Sequence, residues 1–189
     1  YLKSRVSETL GLLYADHFPY RQVETARNVR QSPIHDRLKG EGACFGEVSG
    51  WERANWFLPK AERDAGKPAE YEYSWKRQNW FDYSADEHNA VRNHVGMFDL
   101  SSFGKIRVVG KDAEAVLQRL CGNDVEVPDG KIVYTQFLNE DGHIEADVTV
   151  TRLSSDEFLV VTPAATVRRD LHWINGHIPD GAHCFAMDM

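Results

Sequence analysis

The chain has 189 residues, 42% of them hydrophobic, with 22 basic and 29 acidic side chains and a formal net charge of -7. That is enough apolar material for a real core and excludes a disordered chain, while the acidic balance argues against a nucleic-acid backbone or an anionic membrane as the main partner. Cys44, Cys121 and Cys184 are far apart and form no CxxC pair, so neither a disulfide framework nor a zinc site is indicated and a reducing compartment fits.

No apolar run reaches membrane-spanning length, and YLKSRVSETL lacks the basic-then-apolar build of a signal peptide, so a soluble protein is expected. The first residue is Tyr1 rather than Met and the last stretch, HCFAMDM, stops without a cap, which reads as a piece of a longer chain. Val6, Leu10 and Leu13 share one helical face, predicting a short amphipathic helix over 4–15. From Phe18 to Pro59 no period holds; Gly, Pro and aromatic residues, including Trp51, Trp56 and Phe57, predict an irregular but packed segment. AERDAGKPAEYEY, 61–73, reads as an exposed excursion. Ser84-Ala85-Asp86-Glu87 matches a capping box, so a helix is expected to start there, to bury Val91 and Val95, and to end with Gly96 in a left-handed conformation.

Residues 104–110, GKIRVVG, read as a strand, followed by a helix from Asp112 with Ala113, Val116, Leu117 and Leu120 on one face. IVYTQFL (132–138), HIEADVTV (143–150) and FLVVT (158–162), separated by NEDG and SSDE turns, predict a meander. Thr162-Pro163 predicts the start of a helix over about 163–175 that buries Val167, Leu171 and Ile174. The sum is an α+β pattern with a mostly antiparallel sheet.

Several motifs fall away. GEGACFG at 40–46 has its third glycine one residue late and HDRLK rather than a strand before it, so a Rossmann reading is rejected. His88 and His94 lie on different helical faces, and neither HExxH nor GxSxG occurs. The aromatic clusters Trp51/Trp56/Phe57 and Trp75/Trp80/Phe81 read as packing in so acidic a chain. One stretch stands out: in NEDGHIEADVTV, strand parity turns Ile144, Ala146, Val148 and Val150 toward a core and Glu145, Asp147 and Thr149 to the other face. That face is either wet or part of a site. Tyr134 and Gln136 share a parity on the preceding strand, so a cleft with one carboxylate and one phenol is open to them, with the register unreadable.

VGMFDLSSFGKIRVVGKDAEAVLQRL, NDVEVPDGKIVYTQFLNEDGHIEADVTV and FLVVTPAATVRRDLHWI, in this order, resemble the first half of the glycine-cleavage T-protein, a tetrahydrofolate-dependent aminomethyltransferase. The upstream HFPYRQVETARNVRQSPIHDRLKGEGACFGEVSGWERANWF resembles the segment that links the flavin and folate parts of dimethylglycine and sarcosine dehydrogenases. The resemblance implies residues 1–60 as the end of the central domain of an FAD-dependent oxidoreductase, 61–83 as a connection, and 84–189 as the N-terminal half of a T-protein-like folate domain. The family's hairpin strand carries two glycines, two apolar residues and two aspartates, the second catalytic; counted from Gly142 it falls on Asp147, with His143, Glu145 and Ala146 departing from the pattern. By the same carry-over Tyr134 lines the folate site and Phe103 lies on the pterin side, with no metal.

The implied chemistry is flavin oxidation of an N-methyl amine to an iminium, whose one-carbon unit tetrahydrofolate captures as 5,10-methylenetetrahydrofolate. FAD belongs to an upstream domain and the second half of the folate fold to residues beyond Met189. The fragment alone is therefore expected to be inactive in oxidation and prone to self-association. A non-catalytic relative of the pyruvate dehydrogenase phosphatase regulatory type, or a plain aminomethyltransferase, are the alternatives. The compartment implied is the bacterial cytoplasm or the mitochondrial matrix.

Overall fold

Alternation decides the second half of the molecule. In the computed structural model, which describes residues 2–189, the chain divides into one unit up to Ser102 and another over Phe103–Met189.

In the first unit, α1 (Leu2–Tyr14) forms as its period predicts, but its apolar stripe is not buried: Val6, Leu10 and Leu13 are 54%, 55% and 74% exposed. Polar contacts hold the helix instead. Arg5 pairs with Glu47 at 2.9 Å and donates to the Thr25 carbonyl, and the Glu8 carboxylate accepts from the backbone N–H groups of Glu24 and Thr25 and from the Thr25 hydroxyl. Those bonds, the hydroxyl's first, hold the Glu8 carboxyl down at about 2.

The segment expected to be irregular contains α2 (His35–Gly40) and a hairpin of β1 (Ala43–Val48) and β2 (Trp51–Phe57). Its two-residue turn, Ser49-Gly50, has positive φ at both positions, the twist that suits a tight hairpin. A bulge between Cys44 and Phe45 breaks the alternation that would have announced the strand. Trp56 anchors a small core with Cys44 and Leu58 and stacks on Tyr83 at 5.4 Å. Glu52, buried on β2, accepts from the Arg27 guanidinium and from the Asn28 N–H; burial raises its carboxyl, and these donors outweigh that and leave it lowered. The excursion forms a short α3 (Lys60–Asp64), and Tyr71 returns edge-on to Trp56.

The next helix, α4 (Phe81–Asn93), starts three residues before the expected cap. Ser84 therefore lies inside it, and Glu87 does not reach back to a cap amide: its carboxylate accepts from the Phe57 N–H at 2.7 Å, ending β2. A tertiary partner outcompetes the local box. The helix ends at His94 in a non-helical conformation, Gly96 is not left-handed, and Val91 and Val95 are exposed rather than buried.

The second unit is a five-stranded antiparallel sheet of β3 (Gly104–Val109), β4 (Ile132–Leu138), β5 (Ile144–Ser154), β6 (Glu157–Thr162) and β7 (Phe185–Asp188), in the order β4-β5-β6-β3-β7. The helices α5 (Ala113–Leu120) and α6 (Val167–Gly176) supply Leu117 and Ile174 to a core shared with Ile106, Phe137, Val148 and Phe158 from one sheet face. The meander is as alternation predicts. Three details differ. Ile144 is 68% exposed, because a register shift at Phe137/Leu138 takes it out of line. α6 begins only after a Pro163–Thr166 turn, with Thr166 as its cap. The last residues, unread in the sequence, form β7, which closes on β3 because Gly110, at φ +128, leaves room for the His183 carbonyl; a Cβ there would stand 2.1 Å from that oxygen.

No helix of the described residues is long and apolar enough to cross a membrane. Burial holds the Cys44 and Cys121 thiols up at about 12 each, and raises that of Cys184. At pH 8 a disulfide reagent is thus expected to modify the folded protein at least about a hundred times more slowly than the unfolded one, since the thiolate is the nucleophile; rapid labelling of Cys44 or Cys121 would contradict this burial. Glu8, depressed from 4.5 to about 2, stabilises the α1 tether above pH 4.5, and that contribution is lost as pH falls through about 2. Glu8→Gln is expected to speed hydrogen exchange in α1 already at pH 7, with little further acid response; an exchange rate equal to the parent's would refute the tether.

Candidate functional site

Burial of Ala146, Val148 and Val150 turns Glu145, Asp147 and Thr149 to the outer face of the second unit's sheet. Register completes the arrangement. Gln136 stands directly opposite Asp147 and Tyr134 opposite Thr149, so the three predicted parity partners share one face. The Gln136 amide donates to Asp147 Oδ1 at 3.2 Å. Tyr134 lies diagonal to Asp147, and its interaction with that carboxylate, hydrogen bonding first and charge second, pushes the phenol above its ordinary range. Asp147 is exposed, as is Tyr134 at 63%.

Glu145, half-buried, is occupied differently: Asn139 Nδ2 donates to it at 3.2 Å, while Asn139 Oδ1 accepts from the N–H groups of Asp141 and His143 and shapes the turn. It therefore serves the hairpin rather than the Tyr134–Asp147 pair.

Phe103 is half-buried just ahead of β3. The ladders pair Gly104 with Thr162 and Val161 with Thr149 and stop there, so Phe103 stands just beyond the last β3–β6 pair, toward the same end of the sheet as Asp147, two strands over. The outer face thus brings one phenol and one amide to a single carboxylate. Gln136 was visible by parity alone; that it touches Asp147 needed the register.

In the first unit a cavity of about 600 Å³ opens between α4, β2 and residues 95–102, walled by Val91, Val95, Met97 and Phe98. Its one acid on that helix, Glu87, has its carboxyl raised by burial. Nothing in the sequence pattern had pointed there. Among the described residues no group of three or more His, Cys, Asp or Glu side chains is placed to hold a metal ion.

The Tyr134–Asp147 contact makes a direct prediction. In an NMR titration the Tyr134 ring is expected to ionise above the ordinary tyrosine value in the parent and to fall back toward it in Asp147→Asn; equal midpoints would show that the two groups do not interact.

Residues 34–189 match the GCVT N-terminal domain, and residues 1–32 match the FAD dependent oxidoreductase central domain. The chain is 52% identical over 169 residues to 4-methylaminobutanoate oxidase (formaldehyde-forming) of Paenarthrobacter nicotinovorans, covering 89% of this chain and 20% of that protein. It is 32% identical over 191 residues to the mitochondrial pyruvate dehydrogenase phosphatase regulatory subunit of Mus musculus, covering 100% of this chain and 22% of that one. Mitochondrial sarcosine dehydrogenase of Mus musculus is 32% identical over 173 residues, 82% of this chain and 19% of that one. The chain thus spans about a fifth of the length of these relatives. The crystal structure of aminomethyltransferase T of the glycine cleavage system from Bartonella henselae superposes with a TM-score of 0.66 at 23% identity, over 86% of this chain and 38% of that one, which shows a shared fold. With more than half of its residues inside the matched region and the fold in agreement, the chain belongs to the GCVT N-terminal domain family.

Proposed function

We propose that this chain is the folate-facing part of a longer FAD-dependent enzyme that oxidises an N-methyl amine, and that Asp147 is its catalytic carboxylate. One observation carries the reading: Asp147 stands on the outer sheet face with Tyr134 and Gln136 turned onto it. The relatives' names support the substrate class, since 4-methylaminobutanoate and sarcosine are both N-methyl amines. The mitochondrial relatives suit a matrix location for a eukaryotic source, and the bacterial one suits a cytoplasmic location.

The outer face fits one wall of a tetrahydrofolate site. Phe103 and Tyr134 offer rings to a flat heterocycle, and Asp147 offers an acceptor to its amines. Bound there, tetrahydrofolate would supply an amine nucleophile for a one-carbon unit. The chain's own residues do the rest. Gln136 fixes Asp147 Oδ1, Tyr134 keeps its proton beside it, and the carboxylate can stabilise a cation and accept a proton from an attacking amine. Opposite unit charges about 4 Å apart attract by about 1 kcal/mol in water and about 4 kcal/mol at an effective dielectric of 20. An exposed Asp147 therefore needs cover from other residues to act at full strength. The described residues hold no strand, glycine-rich turn and helix in series at GEGACFG, where α2 and a turn lead into β1, so FAD is assigned to no residue of this chain.

Two observations favour other outcomes. The formaldehyde-forming relative admits release of the one-carbon unit without capture, and Ala146, where the family pattern has its first aspartate, leaves room for a protein-binding relative. Calorimetric titration of tetrahydrofolate into the full-length protein separates them. Asp147→Asn is expected to weaken binding or methylene capture by about 10²-fold or more, while Glu145→Gln stays within about threefold. If the parent bound no folate, or the variants matched it, the acids would be a solvated strand face and the folate reading would be abandoned.

A further inference from the structure

β5 outruns its neighbour. Its eleven residues begin at Ile144, but β6 ends at Thr162 and its ladder with β5 reaches only Thr149, so among the described strands Ile144–Val148 pair with β4 alone. A two-stranded end is marginal by itself, and Asp147 sits in it.

A cluster on α6 meets that end. Asp170 is 1% exposed in the first turn of the helix and collects hydroxyl hydrogen bonds from Thr162, the last residue of β6, and from Thr166, the helix cap, the latter at 2.7 Å. It also holds Arg169, whose Nε donates to Asp170 Oδ1 at 3.2 Å. Arg169 Nη2 then donates to the carbonyl of Glu145, two residues before Asp147. A cation in the first turn of a helix opposes the macrodipole, so helix stability does not explain Arg169. Its bond to β5 does.

We propose that Arg169 is a positioning residue: anchored on buried Asp170, it pins the free end of β5 and thereby sets where the Asp147 carboxylate stands. The functional half of this statement rests on the folate reading above; the mechanical half does not. The Arg169 side chain is 58% exposed, so its removal leaves the core intact, whereas Asp170→Asn strikes a buried network and is the less clean test.

The experiment uses the full-length protein and its Arg169→Ala, Arg169→Lys and Asp147→Asn variants, with hydrogen exchange by mass spectrometry, tetrahydrofolate calorimetry and the Tyr134 NMR titration. Arg169→Ala is expected to speed exchange in residues 143–148 by roughly tenfold while β3 and α5 keep their rates, because only the local opening changes. Arg169→Lys, which keeps the charge without the planar fork, is expected to recover part of the protection. Folate affinity should fall roughly tenfold in Arg169→Ala, the scale of one lost hydrogen bond. Unchanged exchange overturns the proposal whatever folate does, and so does faster exchange with full affinity in Arg169→Ala while Asp147→Asn loses binding. Should the parent bind no folate, the folate reading fails alone: a Tyr134 midpoint displaced by Arg169→Ala would still support the positioning of Asp147, and an unmoved one would overturn it.

Discussion

The direction in which Asp147 points is set on the opposite side of its strand, by the burial of Ala146, Val148 and Val150. Fully burying a valine side chain is worth about 1.5–3 kcal/mol, so a one-residue slip of β5, which would expose both valines and bury an acid, is out of reach. Val133, Thr135 and Phe137 impose the same phase on β4. With both strands phased, the pairing of Gln136 with Asp147 and the diagonal approach of Tyr134 follow. The polar side of the sheet is thus specified by its apolar side, and Asp147 needs no structural energy of its own to hold its place.

This explains which parts of the molecule were legible in the sequence. β3 to β6, and the buried faces of α5 and α6, follow from period alone, because each has one face in a single core. The β1–β2 hairpin was hidden. Its bulge puts Ala43 and Cys44 both inside, and Glu52 reads as a surface acid until Arg27 and Asn28 satisfy it in the interior. Ser49-Gly50 was the available signal. The capping box at Ser84 misled for a related reason: Glu87 had a better partner in the chain end of β2, and a local motif has no means of announcing that. β7 has four residues and little burial, so nothing periodic marks it.

The candidate site was legible by a different route. Parity put Tyr134, Gln136 and Asp147 on one side of their strands, but a carboxylate on a polar face is ordinary, and resemblance to a family singled it out. Placing Phe103 toward the same end of the sheet took two successive ladders, which sequence does not contain. Arg169 and Asp170 look, in VRRDL, like solvated charge at a helix start. That one of them is buried and the other spans to β5 depends on the close approach of α6 to the sheet, where a Cβ on Gly104 would stand 2.5 Å from a Val167 methyl.

The same burial that fills the two cores has a chemical side effect. All three cysteines sit where the thiolate is disfavoured, on β1, at the end of α5 and just before β7. Electrophiles and oxidants attack cysteine chiefly as the thiolate, and here all three sulfurs are held in the neutral form. In that respect packing density doubles as chemical tolerance.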